Sequence, residues 1–205
     1  MRAPDTRCYA AVLFAALLLA GCGTTDTVEA GKNPSFYDNL SKGGSVDPAA
    51  AAAMLSDYRK GKGLSTVSVD PVLTQVAQRQ AKAMAAADSL SHTVGGRTLT
   101  ARLKAAGFDG LRAVENVGAG YHTLAEAFSG WRDSPSHNKN MLAPGMTQMG
   151  IAAAPSPNSK YKVYWALVLG VPDPKVSADA PAPAGGPALA PGQTSVTING
   201  MPVGQ

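Results

Sequence analysis

Three residues are the candidates for binding a metal ion or transferring a proton: His92, Glu115 and His137. Two imidazoles and one carboxylate form one of the ligand sets of catalytic zinc sites, in which water takes the fourth position. Zinc in such a site lowers the pKa of its bound water toward about 7 and polarises carbonyl groups. Because the three residues are far apart in the sequence, this chemistry depends on a fold that brings them together.

The neighbours of each candidate indicate where it lies. Glu115 has apolar or glycine neighbours in the segment 113–120, which is typical of a short strand that carries one carboxylate. If this strand is buried, the charge of Glu115 needs a cation, either a metal or a protonated histidine. Ser134-Pro135 predicts the start of a helix with His137 in its first turn. The positive end of that helix favours the neutral imidazole that a ligand or a base requires.

Each candidate also has an ordinary structural interpretation, since a single histidine is more often a satisfied core or surface group than a ligand. His122 lies beside a predicted helix start and is interpreted as structural. Ser129 has no Gly-x-Ser-x-Gly frame around it, and Ser91 is typical of a turn or cap residue. We therefore do not expect serine hydrolase chemistry.

The middle of the chain carries the helix and strand patterns that would position these residues. Asp47-Pro48 and Asp70-Pro71 each combine an N-cap residue with proline at the first helical position. The predicted helices cover residues 48–60, 71–88, 97–106, 123–133 and 136–142. Besides the strand around Glu115, strands are predicted at 148–154 and 161–170, and their short connection favours antiparallel pairing. Helices packed on a small sheet indicate an α+β fold, or a layered α-β-α domain.

The first 21 residues are typical of a signal peptide. Arg2 and Arg7 precede an apolar run that is short for a membrane span. The run ends in Leu19-Ala-Gly-Cys22, which resembles a bacterial lipobox, where the signal is cut before a cysteine that is then acylated. More than one acyl chain gives stable anchoring, so a firm membrane anchor is expected. A plain secretory signal with an incidental cysteine is the alternative.

The composition indicates whether disulfides and nucleic-acid partners are expected. Cys8 lies in the signal and Cys22 is the lipidation candidate, so the mature domain is expected to have no disulfide. The chain has 18 Lys and Arg and 14 Asp and Glu, and removal of Arg2, Arg7 and Asp5 leaves 16 against 13, a formal net charge of +3. The basic residues form no long run, so nucleic-acid binding gains no support.

Four segments follow from these patterns. Residues 1–21 are the predicted signal peptide, and 22–46 are the lipidated cysteine and a flexible polar tether. Residues 47–171 are the folded domain. Residues 172–205 are rich in Pro, Ala and Gly and are expected to be disordered, since they cannot bury enough apolar surface to fold.

The ordered series of motifs in residues 47–171 resembles the CAP superfamily, which contains cysteine-rich secretory proteins, antigen 5 and plant pathogenesis-related proteins of group 1. It is most similar to the bacterial, SCP-like branch. The matching pieces are Leu55-Ser-Asp-Tyr-Arg59, Val72-Leu-Thr-Gln-Val-Ala-Gln-Arg-Gln-Ala81 with Met84, Leu90-Ser-His92, Arg102 with Ala106-Gly107, Glu115-Asn-Val-Gly118, Trp131-Arg-Asp-Ser-Pro-Ser-His137, Asn140-Met-Leu142, Met149-Gly-Ile-Ala152, and Tyr164-Trp165 with Leu169-Gly170.

The resemblance implies an α-β-α sandwich around a small antiparallel sheet, with two histidines and two acidic residues in a central cavity. By motif, His92, Glu115 and His137 take three of these places, and in some members such residues hold a divalent metal. The fourth place, after Trp131, holds Ser134 with Asp133 before it. The implied metal set is therefore the triad of His92, Glu115 and His137, with Asn116, Asp133 and Ser134 as supporting residues.

Family activities range from lipid and metal binding to proteolysis, and the sequence leaves open whether this chain is an enzyme. We expect an envelope-anchored, non-catalytic module that binds a lipid or another envelope component at the His92–Glu115–His137 cleft. The alternative is a metal-dependent hydrolase, with zinc as its cofactor, that acts on peptides or wall polymers at the same cleft. Gly23 after the lipid cysteine is not a retention aspartate, so outer-membrane sorting is compatible with a cell that has two membranes.

Overall fold

The structure is a computed structural model that describes residues 35–173, and the backbone of 197–198 and 201–202. The predicted signal peptide, Cys22, residues 23–34 of the tether and most of the predicted tail lie outside the described residues.

Five α-helices surround the sheet, and their starts follow local capping. They are α1 (Pro48–Lys60), α2 (Pro71–Ala87), α3 (Leu99–Ala106), α4 (Leu124–Asp133) and α5 (Pro135–Met141). The Asp47 and Asp70 carboxylates accept hydrogen bonds from the first-turn amides of α1 and α2, as the Asp-Pro pairs predict. Helix α3 begins two residues later than predicted, because the Thr98 hydroxyl caps it at the Ala101 amide. Within residues 35–173, no helix is long and apolar enough to cross a membrane.

The main sheet has four strands in the order β1-β3-β4-β2: β1 (Ser68–Val69), β2 (Gly110–Ala119), β3 (Gln148–Ser156) and β4 (Lys162–Pro172). The predicted antiparallel hairpin of β3 and β4 is confirmed, with Gln148 opposite Gly170 and Ser156 opposite Lys162. The sheet as a whole is mixed rather than purely antiparallel, because β1 pairs parallel with β3. Two residues are too few for a strand pattern in the sequence, so β1 was not predicted.

Strand β4 lies inside the sheet and builds the core on both faces. Its side chains alternate between the faces, as in any strand. Trp165, Leu167 and Leu169 pack with apolar residues of α1, α4 and α5. Tyr164, Ala166 and Val168 pack with α2 and α3. Helices therefore cover both faces, and the predicted α+β fold with an α-β-α arrangement is confirmed.

Residues 35–46 correct the predicted domain boundary. They belong to the segment predicted as a flexible tether, yet Leu40 is 4% and Val46 9% exposed, and both lie in the core. The Leu40 amide donates to the His122 carbonyl oxygen at 2.8 Å, which ties this segment to the loop before α4. The few apolar side chains of this polar stretch are buried because they pack against the apolar core of the domain.

The predicted tail is described only in part. Strand β4 extends to Pro172, and the Asp173 amide donates to the Asp109 carbonyl oxygen at 3.2 Å. Two short strands, β5 (Thr197–Ile198) and β6 (Met201–Pro202), pair antiparallel with each other. The remaining residues of the tail lie outside the described part of the chain.

Candidate functional site

Three different elements carry the residues that the sequence predicted. His92 lies in the loop after α2, Glu115 in β2, and His137 in the first turn of α5. His92 Nδ1 lies 2.9 Å from Glu115 Oε2. His137 is close enough to His92 for the charge of one ring to affect the other. The fold thus brings together residues that are widely separated in the sequence.

Arg102 of α3 holds the Glu115 carboxylate on both oxygens. Its two terminal nitrogens lie 2.8 Å from Oε1 and 2.9 Å from Oε2. The side chains of Arg102 and Glu115 are 8% and 2% exposed, so the pair is buried. The cation that a buried Glu115 was expected to need is therefore Arg102, rather than a metal or a histidinium. The same guanidinium also donates to the His92 carbonyl oxygen at 3.1 Å, which fixes the loop.

His137 lies where the sequence predicted it, at the third position of α5. Its Nδ1 is 3.0 Å from the Ser134 hydroxyl, and this hydroxyl makes no capping hydrogen bond to α5. Burial of the ring, and secondarily the charge of the nearby His92, lower the pKa of His137. The neutral ring is favoured, as predicted, and burial of the ring is the main cause.

Two asparagines connect β2 to α5 and set the position of His137. The Asn116 side-chain amide donates to the His137 carbonyl oxygen at 3.0 Å. The Asn140 amide donates to the Asn116 side-chain oxygen at 3.0 Å and to the Glu115 carbonyl oxygen at 3.1 Å. Asn116 is 1% exposed, so this network is internal and rigid.

Asp133, which the family resemblance predicted as a supporting residue, makes no hydrogen bond or ion pair with His92, Glu115 or His137. Its carboxylate is exposed and lies 2.9 Å from Arg132 Nε, and the hydrogen bond from Arg132 lowers the pKa of Asp133. Ser134, the other residue at the fourth family place, contacts His137 and no carboxylate. The fourth acidic position is therefore not filled by a neighbouring aspartate.

The donor set present does not fit the predicted three-ligand zinc site. Among the described residues, no three His, Cys, Asp or Glu side chains are grouped so that they could share an ion. Glu115 is engaged by Arg102 and His92, and each histidine uses Nδ1 in a contact. Only the Nε2 atoms of the two imidazoles remain as candidate metal donors. Zinc binding stays a prediction.

Arg102 is the site residue whose role the sequence did not predict, although it stands in the motif series. A signal was present in the spacing of α3. Leu99, Arg102, Leu103 and Ala106 recur at three- and four-residue intervals, which places the arginine on the apolar side of the helix. Arginine is almost never fully buried unless it is paired, so this spacing indicates a buried acidic partner.

The three residues of the cleft, His92, Glu115 and His137, differ in their exposure. The His92 side chain is 56% exposed, and none of the three residues lines either of two nearby cavities. The larger cavity, of about 810 Å³, lies between α2, β3 and residues 44–48. His92 is therefore the part of the cleft that solvent reaches most, whereas His137 is partly buried and Glu115 is buried.

A sequence profile of the cysteine-rich secretory protein family, CAP, matches residues 52–169. No curated protein sequence gives a significant match.

Two solved bacterial structures are similar in fold. An extracellular protein of Bacillus anthracis str. Ames that contains an SCP domain is 22% identical with a TM-score of 0.53, and the match covers 60% of this chain and 39% of that protein. An outer surface protein of Borrelia burgdorferi is 18% identical with a TM-score of 0.55, and the match covers 63% of this chain and 98% of that protein. This chain thus spans well under half of the first structure.

Proposed function

This chain belongs to the cysteine-rich secretory protein (CAP) family, and we propose that it is an exported, non-catalytic module that binds a component of the cell envelope at the His92–Glu115–His137 cleft. The family fold alone does not determine an activity. The proposal therefore rests on the chemistry of the site.

The observation that carries the proposal is the bidentate pair of Arg102 and Glu115. A carboxylate held on both oxygens by a buried guanidinium is not free to act as a general base or as a metal ligand. What remains is a hydrogen-bonded framework that presents the exposed His92 ring with the partly buried His137 ring near it. Fixed hydrogen-bonding groups on a rigid support favour binding, because little order has to be gained when the ligand arrives.

The cellular setting is also part of the proposal. Residues 1–21 are read as a signal peptide and Cys22 as the lipid attachment site, which would hold the domain at the membrane on the periplasmic face. The two similar structures are described as an extracellular and an outer surface protein, which is consistent with export. Substitution Cys22→Ala is expected to release the protein from membranes, and unchanged retention in the membrane fraction would contradict lipidation.

The alternative is a metal-dependent hydrolase that uses the same cleft. The contact of 2.9 Å between His92 Nδ1 and the Glu115 carboxylate favours it, since a carboxylate commonly orients a metal-binding imidazole. This alternative has two imidazoles and no third protein ligand unless Glu115 leaves Arg102. It predicts that the protein releases soluble fragments from peptides or wall polymers in the presence of zinc.

The binding proposal is tested with the full chain carrying Cys22→Ala, so that no anchor contributes. Purified peptidoglycan and vesicles of envelope lipids are the two probes, and co-sedimentation measures retention. The double variant His92→Gln/His137→Gln is compared with His122→Gln, a matched change outside the cleft. We expect the control to bind one probe like the parent and the double variant to bind roughly tenfold more weakly or less.

Two results would overturn the proposal. One is equal retention of the double variant and the His122→Gln control, which would place binding outside the cleft. The other is release of soluble fragments by the parent protein, which would favour the hydrolase.

A further inference from the structure

A second cavity, of about 260 Å³, lies between α2 and α3, beside the turn at Val94–Gly96. Three arginines line it: Arg79 of α2, Arg97 after the turn, and Arg102 of α3. None of the described residues that line this cavity is an Asp or Glu. The arginine cavity, as we call it, is therefore a concave site with one sign of charge.

The charges of the three arginines are not equally compensated. Arg102 is paired with Glu115. In the described part of the chain, Arg79 and Arg97 form neither an ion pair nor a hydrogen bond, and both are exposed. The arginine cavity thus has two uncompensated positive charges, which a single bound dianion would balance.

Arg102 is one of the buried residues of the arginine cavity, and one of its three guanidinium nitrogens has no partner. Its terminal nitrogens are used by Glu115 and the His92 carbonyl, but its Nε is buried without a hydrogen-bond partner. A buried donor without a partner is unfavourable and rare in folded proteins. Because this nitrogen has almost no accessible surface, it lies behind the cavity wall, and the exposed Arg79 and Arg97 are the cationic donors that a ligand in the arginine cavity would meet.

We propose that the arginine cavity binds a phosphate monoester group. Such a group has a charge of about −1.5 to −2 at neutral pH, which balances the two uncompensated arginines. A single carboxylate would neutralise only one of them. The planar guanidinium binds phosphate oxygens in pairs, and this geometry favours arginine over lysine at phosphate sites. The volume is below the roughly 300–1,000 Å³ of sites that enclose a whole drug-sized ligand, so the cavity accommodates a head group rather than a large molecule.

The phosphate has two possible sources, a soluble ester and a lipid head group, and the experiment separates them. The full chain with Cys22→Ala is titrated with glycerol phosphate in a calorimeter. In parallel it is sedimented with phosphatidylcholine vesicles prepared with and without phosphatidic acid. The double variant Arg79→Gln/Arg97→Gln tests the arginine cavity, and Arg112→Gln, an exposed arginine on β2 outside it, is the matched control.

We expect saturable binding of glycerol phosphate or of phosphatidic acid vesicles, with a loss of roughly tenfold or more in the double variant and no comparable loss in Arg112→Gln. Binding of glycerol phosphate assigns a soluble ligand, and binding of vesicles alone assigns a lipid head group. The proposal is overturned if neither probe binds, or if the double variant and Arg112→Gln weaken binding equally. Because His92 and His137 remain unchanged throughout, failure here does not bear on the cleft.

Discussion

Replacement of Arg102 by methionine is expected to destabilise the domain more than any change at an exposed arginine. The substitution removes the only guanidinium that, in the described structure, contacts the buried Glu115 carboxylate. Methionine has a similar length and no charge, so packing against α3 is largely kept while the ion pair is lost.

The magnitude follows from the burial of the pair. The Glu115 side chain is 2% exposed, so after the substitution its charge stays out of water with His92 as its remaining partner. Removal of one member of a buried pair typically costs about 3–5 kcal/mol. Because His92 offsets part of this loss, we expect about 3 kcal/mol, which corresponds to a decrease in melting temperature of about 10 °C for a domain of this size.

Urea unfolding followed by circular dichroism measures the free energy of unfolding of the parent, Arg102→Met, Glu115→Leu and the double variant. The double variant removes both charges, and replacement of a buried pair by apolar residues is often nearly neutral. We therefore expect it to be more stable than Arg102→Met alone, with a positive coupling between the two sites. Arg112→Met is the exposed control.

Two results would refute the reasoning. If Arg102→Met costs no more than Arg112→Met, the pair does not stabilise the buried charge. If the loss of unfolding free energy in the double variant equals the sum of the losses in the two single variants, the residues are not coupled. Either result would also weaken the proposed binding function, because the fixed Glu115 carboxylate carries it.

The remaining predictions concern His137, the zinc site and Gly150. Because burial lowers the pKa of His137 below 6.5, the unfolded chain binds the proton more strongly, so stability should fall as the pH decreases below about 6.5. The urea midpoint should fall less between pH 7.5 and 5.5 in His137→Gln, and an equal fall would contradict this cause. In a calorimetric titration, Arg102→Met should bind zinc roughly tenfold or more tightly than the parent, since the Glu115 carboxylate no longer pairs with a guanidinium. Equal zinc affinities would show that Arg102 does not prevent Glu115 from binding the metal. Gly150→Ala should lower the free energy of unfolding by about 2 kcal/mol or more, measured by thermal melting, because the added Cβ would lie 2.1 Å from backbone atoms of Leu73 and Thr74. Gly61→Ala is the control and should be tolerated, because its Cβ would lie 3.5 Å from the nearest atom.

The resemblance to the family predicted a cluster of His92, Glu115 and His137, but it did not predict that Arg102 pairs with the Glu115 carboxylate. The motifs placed His92, Glu115 and His137 on a loop, a strand and a helix start, and these elements meet in the structure. The interpretation of Glu115 as a metal ligand depended on what else approaches the carboxylate. The residue that contacts both oxygens of the carboxylate is Arg102, which lies on the inward-facing side of α3. It reaches Glu115 only because α3 packs against β2.

The sequence by itself determined the features that depend on near neighbours along the chain. Asp47 and Asp70 with their prolines begin two helices, and the apolar run of β4 forms the buried strand, because caps, proline and side-chain alternation act within a few residues. The tertiary structure decided the parallel pairing of β1, the burial of Leu40 and Val46, and the partner of Glu115. Each of these joins residues from separate elements, and the physical reason is the same in each case: burial and charge compensation depend on the surface that packing provides.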